Sequence, residues 1–220
     1  MKLIGKGWQY RVYDIGNGRV RKIKRTPIDS FWRIFFMPKI IKENRKFRFN
    51  PILSYREMRR ISRESEANIN KFKEILPSIP MYLTGNPVFL NGINYEQDYA
   101  TPLLGYFQEH EDTENKKAIT QYAQLILELW QHGCSDSVFN FATNSGVDSQ
   151  NRVIQIDIGE LDLEKNIVVE KVRNKKWLSQ PSYIFHLDES MKRFFMEEMD
   201  NYVTMENLEK YWMSKLAYRK

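Results

Sequence analysis

At 220 residues, 42% hydrophobic and 28% charged, the chain is long enough to bury a substantial core and too apolar for wholesale disorder. One cysteine, Cys134, excludes an internal disulfide and suits a reducing compartment; with no apolar run approaching a membrane span or a signal peptide, the chain reads as soluble and cytoplasmic. The net charge of +6 is uneven: residues 1–63 hold 18 basic against 4 acidic residues and residues 64–220 hold 16 against 24, which suits an anionic partner or a solvated face.

The amino-terminal run GKGWQYRVY reads as a glycine-marked turn, with Gly5 and Gly7, entering a strand that carries Val12. Gly16-Asn17-Gly18 supplies a hairpin turn because Asn and Gly accept positive φ, and the strand Val20-Arg21-Lys22-Ile23-Lys24 puts Lys22 on the face of Val20. Residues 26–53 interleave Phe31, Trp32, Phe35 and Ile40 with Arg33, Lys39, Lys42 and Arg45. That pattern suits either an anionic membrane surface, which makes the protein membrane-peripheral, or a covering segment whose aromatics are core; Pro38 breaks the run and favours the second.

Ser54-x-x-Glu57 is a capping-box pattern predicted to open a long helix that Pro77 ends, with Met58, Ile61, Ile69, Phe72 and Leu76 buried. Residues 81–104 read as two strands around Asn91-Gly92, followed by a linker at Pro102 and Gly105. A helix over Thr113–Gln131 follows, its apolar stripe running from Ile119 to Trp130 and its stop at Gly133. His132 at its end reads as packing, and Cys134 as a small core residue. Beyond Glu160 the pattern is helical over Leu163–Trp177, Asp188–Tyr202 and Thr204–Leu216, with Asp188 and Thr204 as N-caps. The fold class is therefore α+β. There is no internal repeat, metal-ligand cysteine cluster or strong nucleic-acid signal.

The chemistry concentrates between His132 and Glu160. A polar loop with Asp136 and Asn140 is followed by the β-branched run Val153-Ile154-Gln155-Ile156, which delivers Asp157 and Gly159. Phosphoryl transfer needs one carboxylate near the attacking hydroxyl, and an amide with a second carboxylate for the magnesium that bridges the nucleotide phosphates.

His132-Gly133, the Asp136…Asn140 loop and Asp157-Ile158-Gly159 resemble the catalytic and metal-binding loops of the protein kinase-like superfamily, in the variants of aminoglycoside phosphotransferases and bacterial lipopolysaccharide sugar kinases. The resemblance implies a two-lobed fold: residues 1–101 as an antiparallel-sheet lobe with one long helix, residues 102–220 as a mostly helical lobe, and ATP with Mg2+ between them. It implies Asp136 as the catalytic carboxylate and Asn140 and Asp157 as metal ligands. Gly5, Gly7 and Val12 would lie over the nucleotide, the backbone at Asp98 and Tyr99 along the adenine, and Lys22 on the phosphates, oriented by Glu66. Glu64 and Glu57 remain alternatives for that glutamate and Lys24 for that lysine.

On this reading the chain is a kinase acting on a hydroxyl of a small-molecule, sugar, lipid or protein acceptor. Asp136 lies four residues after His132 and Asn140 four after Asp136, where the family places them two and five apart. That departure motivates the alternative of a pseudokinase serving as a nucleotide-binding or regulatory module. A third reading gives the basic amino-terminal region to anionic lipid or nucleic acid.

Overall fold

The computed structural model describes all residues except Trp8, residues 31–50, Ser137 and residues 214–220. Most of the basic aromatic insert, and with it the membrane-surface expectation for residues 26–53, thus lies outside the described residues. The chain has mixed α and β structure and divides into two compact units, Met1–Asn70 with Pro87–Asp98, and Lys71–Asn86 with Tyr99–Lys220. The sequence reading ends its first lobe at residue 101, whereas contacts end the first unit at Asp98 and group residues 71–86 with the second.

The first unit is built on an antiparallel sheet of β1 (Lys2–Lys6), β2 (Tyr10–Gly16), β3 (Arg19–Lys24), β4 (Val88–Phe89) and β5 (Tyr95–Asp98), ordered β1-β2-β3-β5-β4. The β2–β3 hairpin turns at Asn17 and Gly18, both at positive φ (56° and 68°), the geometry that matches the twist of the flanking strands. Period-two alternation puts Val20 and Lys22 of β3 on the buried face with Tyr10 and Tyr95, whose rings meet edge-on at 5.7 Å. The opposite face is charged. Arg19 and Arg21 stand directly across from Asp98 and Glu96 and bridge them at 2.7 Å each, so the arginines of β3 are matched within the sheet.

Helix α1 (Pro51–Ile75) carries Met58, Ile69 and Phe72 on its buried face. Ser54 lies inside the helix and is not its cap as the S-x-x-E pattern suggests. The helix stops before Pro77, as expected. Asn91-Gly92 does turn a hairpin, with Gly92 at φ 63°, but the strand before it is only Val88–Phe89. Met81–Thr84 forms a 3-10 turn closed by Gly85 at φ 67° instead of a strand.

The second unit is organised on α3 (Asp112–Gln131), preceded by β6 (Ala100–Pro102) and the short α2 (Leu103–Glu109), which the sequence reading treats as linker. Ile119, Tyr122, Ile126, Leu129 and Trp130 form the buried stripe of α3. Gly133 at φ 69° ends it: its N–H bonds the Trp130 carbonyl and that of Cys134 bonds Leu129, the paired bonds of a Schellman motif.

After β7 (Ser135–Asp136) come α4 (Phe141–Asn144), β8 (Ser145–Asp148), β9 (Val153–Gln155) and β10 (Leu161–Asp162). Two ladders hold them: β6-β8-β9, and β7 with β10. Helices α5 (Lys165–Arg173), α6 (Pro181–His186), α7 (Glu189–Tyr202) and α8 (Met205–Tyr211) complete the unit, α7 and α8 packing on α3. Asp188 and Thr204 cap α7 and α8 as expected, accepting from Met191 N at 2.8 Å and Asn207 N at 3.1 Å. Phe141 and Phe195 (4.7 Å) and Phe139 and Trp177 (5.6 Å) join the segment after β7 to the carboxy-terminal half of the chain. Among the described residues no helix is long and apolar enough to cross a membrane.

Candidate functional site

The second unit gathers its carboxylates around one amide. β7 pairs with β10 in antiparallel register, Leu161 opposite Asp136, so the turn at residues 157–160 returns to the segment that carries Asp136. Asn144, at the end of α4, stands between them. Its amide nitrogen donates to Asp136 Oδ1 at 3.1 Å and to Glu160 Oε2 at 3.0 Å, and its carbonyl accepts the N–H groups of Ile156 at 2.7 Å and Asp157 at 3.1 Å. One residue thereby ties Asp136 to the whole segment that carries Asp157.

Asp136 is 1% exposed, and its Oδ1 also accepts from Val138 N at 3.0 Å. Phe139 sits in the left-handed region at φ 53°, a strained conformation for a bulky residue, and its N–H is a further donor to the same carboxylate. Burial pushes the pKa of Asp136 up to about 6, against the pull of those donors and with added repulsion from Asp157. The Tyr122 hydroxyl is buried on the neighbouring helix; burial first, and the Asp136 charge second, hold its pKa well above the ordinary value.

Asp157 is half-buried and turns the chain: its Oδ1 accepts from Gly159 N at 3.1 Å, and the buried Gln155 side chain donates to its carbonyl at 3.0 Å. Asn140 precedes α4, where its carbonyl accepts from Thr143 N and Asn144 N, and its side chain makes no cap. The amide joined to Asp136 is that of Asn144, eight residues on, not that of Asn140. The sequence signal for it was position: Asn144 is the amide that abuts the strand leading, through one hairpin, to Asp157.

His132 is packed, with its pKa lowered by burial against the opposing pull of a hydrogen bond to the Ser78 backbone and of the Glu128 charge. Cys134 is buried, and burial pushes its thiol up to about 12, well away from nucleophile range. Neither takes part in the cluster. No group of three or more His, Cys, Asp or Glu residues is arranged to hold a metal among the described residues.

In the first unit Lys22 is 8% exposed, with its ammonium 5.5 Å from the centre of the Tyr95 ring. Lys24 reaches the Gln9 side chain at 2.9 Å and Ser65 of α1 at 3.1 Å. Glu66 is half-buried and accepts from Ser62 on the preceding turn at 3.4 Å; Glu64 pairs with Arg60. The side chain of Glu57 lies outside the described residues. Gly5 is in β1 and Gly7 in the β1–β2 connection. A Cβ at Gly5 would stand 3.1 Å from the Val12 side chain, and one at Gly7 3.2 Å from the Tyr10 carbonyl, so side-chain crowding at the first and close backbone approach at the second favour glycine. Asp98 pairs with Arg19, and Tyr99 is exposed.

The fold and site thus define a protein of mixed α and β structure with a buried, amide-bridged carboxylate cluster. No protein-family model and no curated protein matches the chain. Among solved structures, a co-crystal structure of WbdD with the kinase inhibitor LY294002 matches with a TM-score of 0.48 and 17% identity, over 97% of this chain and 46% of that one. The chain therefore spans less than half the length of that structure.

Proposed function

We propose that the chain is an ATP- and magnesium-dependent phosphotransferase acting on a hydroxyl. The observation that carries this reading is the Asn144 bridge: its side-chain amide joins the carboxylates of Asp136 and Glu160 and its backbone carbonyl holds the N–H of Asp157, which ties together the two loops that resemble kinase catalytic and metal-binding loops. Asp136, its pKa raised to about 6, is suited to accept or orient a hydroxyl proton near neutral pH. Asp157 and the Asn144 Oδ1 are the oxygens that would hold magnesium, with Asn144 taking the part the resemblance gives to Asn140. The ion, when bound, neutralises charge on the transferring phosphoryl group. In the first unit Lys22, a buried ammonium on a strand following a glycine-marked hairpin, would neutralise nucleotide phosphates, and the acceptor would be a small-molecule, sugar, lipid or protein hydroxyl.

The test is phosphate release from ATP, with and without magnesium, by wild type and by Asp157→Ala and Lys22→Met. Magnesium-dependent turnover lost at least a hundredfold in both variants supports the reading; equal turnover in all three overturns it.

One observation favours a second reading, a nucleotide-binding module without turnover: Asp136 is 1% exposed and its Oδ1 already accepts from Val138 and Asn144. Stabilisation of the wild type by ATP and magnesium without phosphate release selects that reading.

A further inference from the structure

We infer that Glu160 is a positioning residue: it pins the Asn144 side-chain amide in one orientation, so that Oδ1 is presented as the oxygen ligand of the site. An unrestrained amide flips easily, because its nitrogen and oxygen occupy nearly the same space. At Asn144 both N–H groups are committed, one to Asp136 Oδ1 at 3.1 Å and one to Glu160 Oε2 at 3.0 Å. A flip would set the amide oxygen against two carboxylates, which as ions only accept hydrogen bonds. With Asp136 alone, one N–H would stay uncommitted and the amide would be held from one side. Glu160 supplies the second hold.

The local chain geometry explains how it gets there. Asp157 Oδ1 captures Gly159 N at 3.1 Å, and the resulting 3-10 turn over Ile158–Glu160 curls Glu160 back toward the residue whose carbonyl already binds Ile156 and Asp157. The Asn144 Oδ1 is left with Thr143 Oγ1, a long contact at 3.3 Å that is readily displaced. Partners that orient a ligand from behind typically matter ten- to hundredfold for metal affinity.

This inference rests on the phosphotransferase reading, and its test separates the two. Calorimetric titration with the non-hydrolysable ATP analogue AMP-PNP, in magnesium and in EDTA, is run on wild type, Asp157→Ala, Glu160→Ala and Glu160→Gln. Glu160→Ala should bind about tenfold more weakly than wild type in magnesium and equally in EDTA. Glu160→Gln, which keeps an acceptor oxygen for Asn144, should bind like wild type. Wild-type binding in magnesium with an indifferent Glu160→Ala overturns the inference alone, as does Glu160→Gln as weak as Glu160→Ala, which would make Glu160 a direct ligand. Absence of magnesium-dependent binding in wild type overturns the phosphotransferase reading and this inference with it. A second readout needs no variant: in the wild-type NMR spectrum both Asn144 side-chain amide protons should exchange slowly with solvent, and an amide exchanging like a surface asparagine overturns the pinning.

Discussion

Asn144 donates its side-chain amide to Asp136 Oδ1 at 3.1 Å across eight residues of chain, and the same residue's carbonyl receives the backbone of Asp157. Replacing it should therefore damage both stability and chemistry. Asn144→Leu leaves a buried carboxylate without one of its donors and is expected to cost roughly 3 kcal/mol in chemical denaturation. Any magnesium-dependent turnover should fall at least a hundredfold. Asn140→Ala, which removes a side chain that caps nothing, should change stability by less than about 1 kcal/mol. If Asn140→Ala were the more damaging of the two, the bridge would be misassigned.

Gly146 tests the β6–β8 ladder. A Cβ there would stand 2.7 Å from the Thr101 carbonyl oxygen, which is backbone and cannot swing aside. Gly146→Ala should destabilise by roughly 1–3 kcal/mol through overpacking. Gly105→Ala is the control: its Cβ meets only the Thr101 methyl at 3.7 Å and it lies inside α2, where alanine is favoured over glycine by about 1 kcal/mol. Thermal melts should move down for the first and level or up for the second.

Asp136 predicts a pH dependence of stability. Its folded pKa, about 6, lies above the ordinary 3.8, so the folded state holds the proton more tightly than the unfolded chain. That stabilisation is complete below pH 4 and is lost as pH rises to 6, a swing of roughly 3 kcal/mol from this one group. Denaturation in EDTA at pH 4 and pH 7 should show this component in wild type and lose it in Asp136→Asn, a neutral isostere whose oxygen still accepts from Val138 N. An identical pH difference in the two proteins would contradict the assignment.

Cys134 should be silent in the native state. It is fully buried against the Leu129 carbonyl, and burial pushes its thiol up to about 12. A thiol reagent at pH 8 should label it only under denaturing conditions. Rapid labelling of the folded protein would show that the end of α3 opens.

Much of this architecture is legible in the residues. The period of α3 and its glycine stop, the Asn17-Gly18 hairpin, the caps at Asp188 and Thr204, and the burial of Lys22 on the face of Val20 all follow from local rules. What escapes sequence reading is set by tertiary context. Ser54 already lies within the helix that includes Pro51, so the S-x-x-E pattern there caps nothing. Met81–Thr84 and α6 are too short to show a period. The Asn144 bridge spans a four-residue helix, α4, that stretches the interval between carboxylate and amide beyond the spacing a motif search expects. Asn140 satisfies the motif more nearly, but only the β7–β10 and β8–β9 ladders decide which amide meets Asp136.

The strained backbone at Phe139 has a long reach. Its ring is wedged edge-on against Trp177, and its N–H faces Asp136, so an aromatic far downstream helps hold a peptide group in an orientation it would not choose alone. Trimming Trp177 would free that peptide to relax, swing the N–H away, and leave the carboxylate less well solvated by the protein. The acidity of Asp136 can thus be adjusted from the carboxy-terminal half, through the ring that Trp177 sets against Phe139.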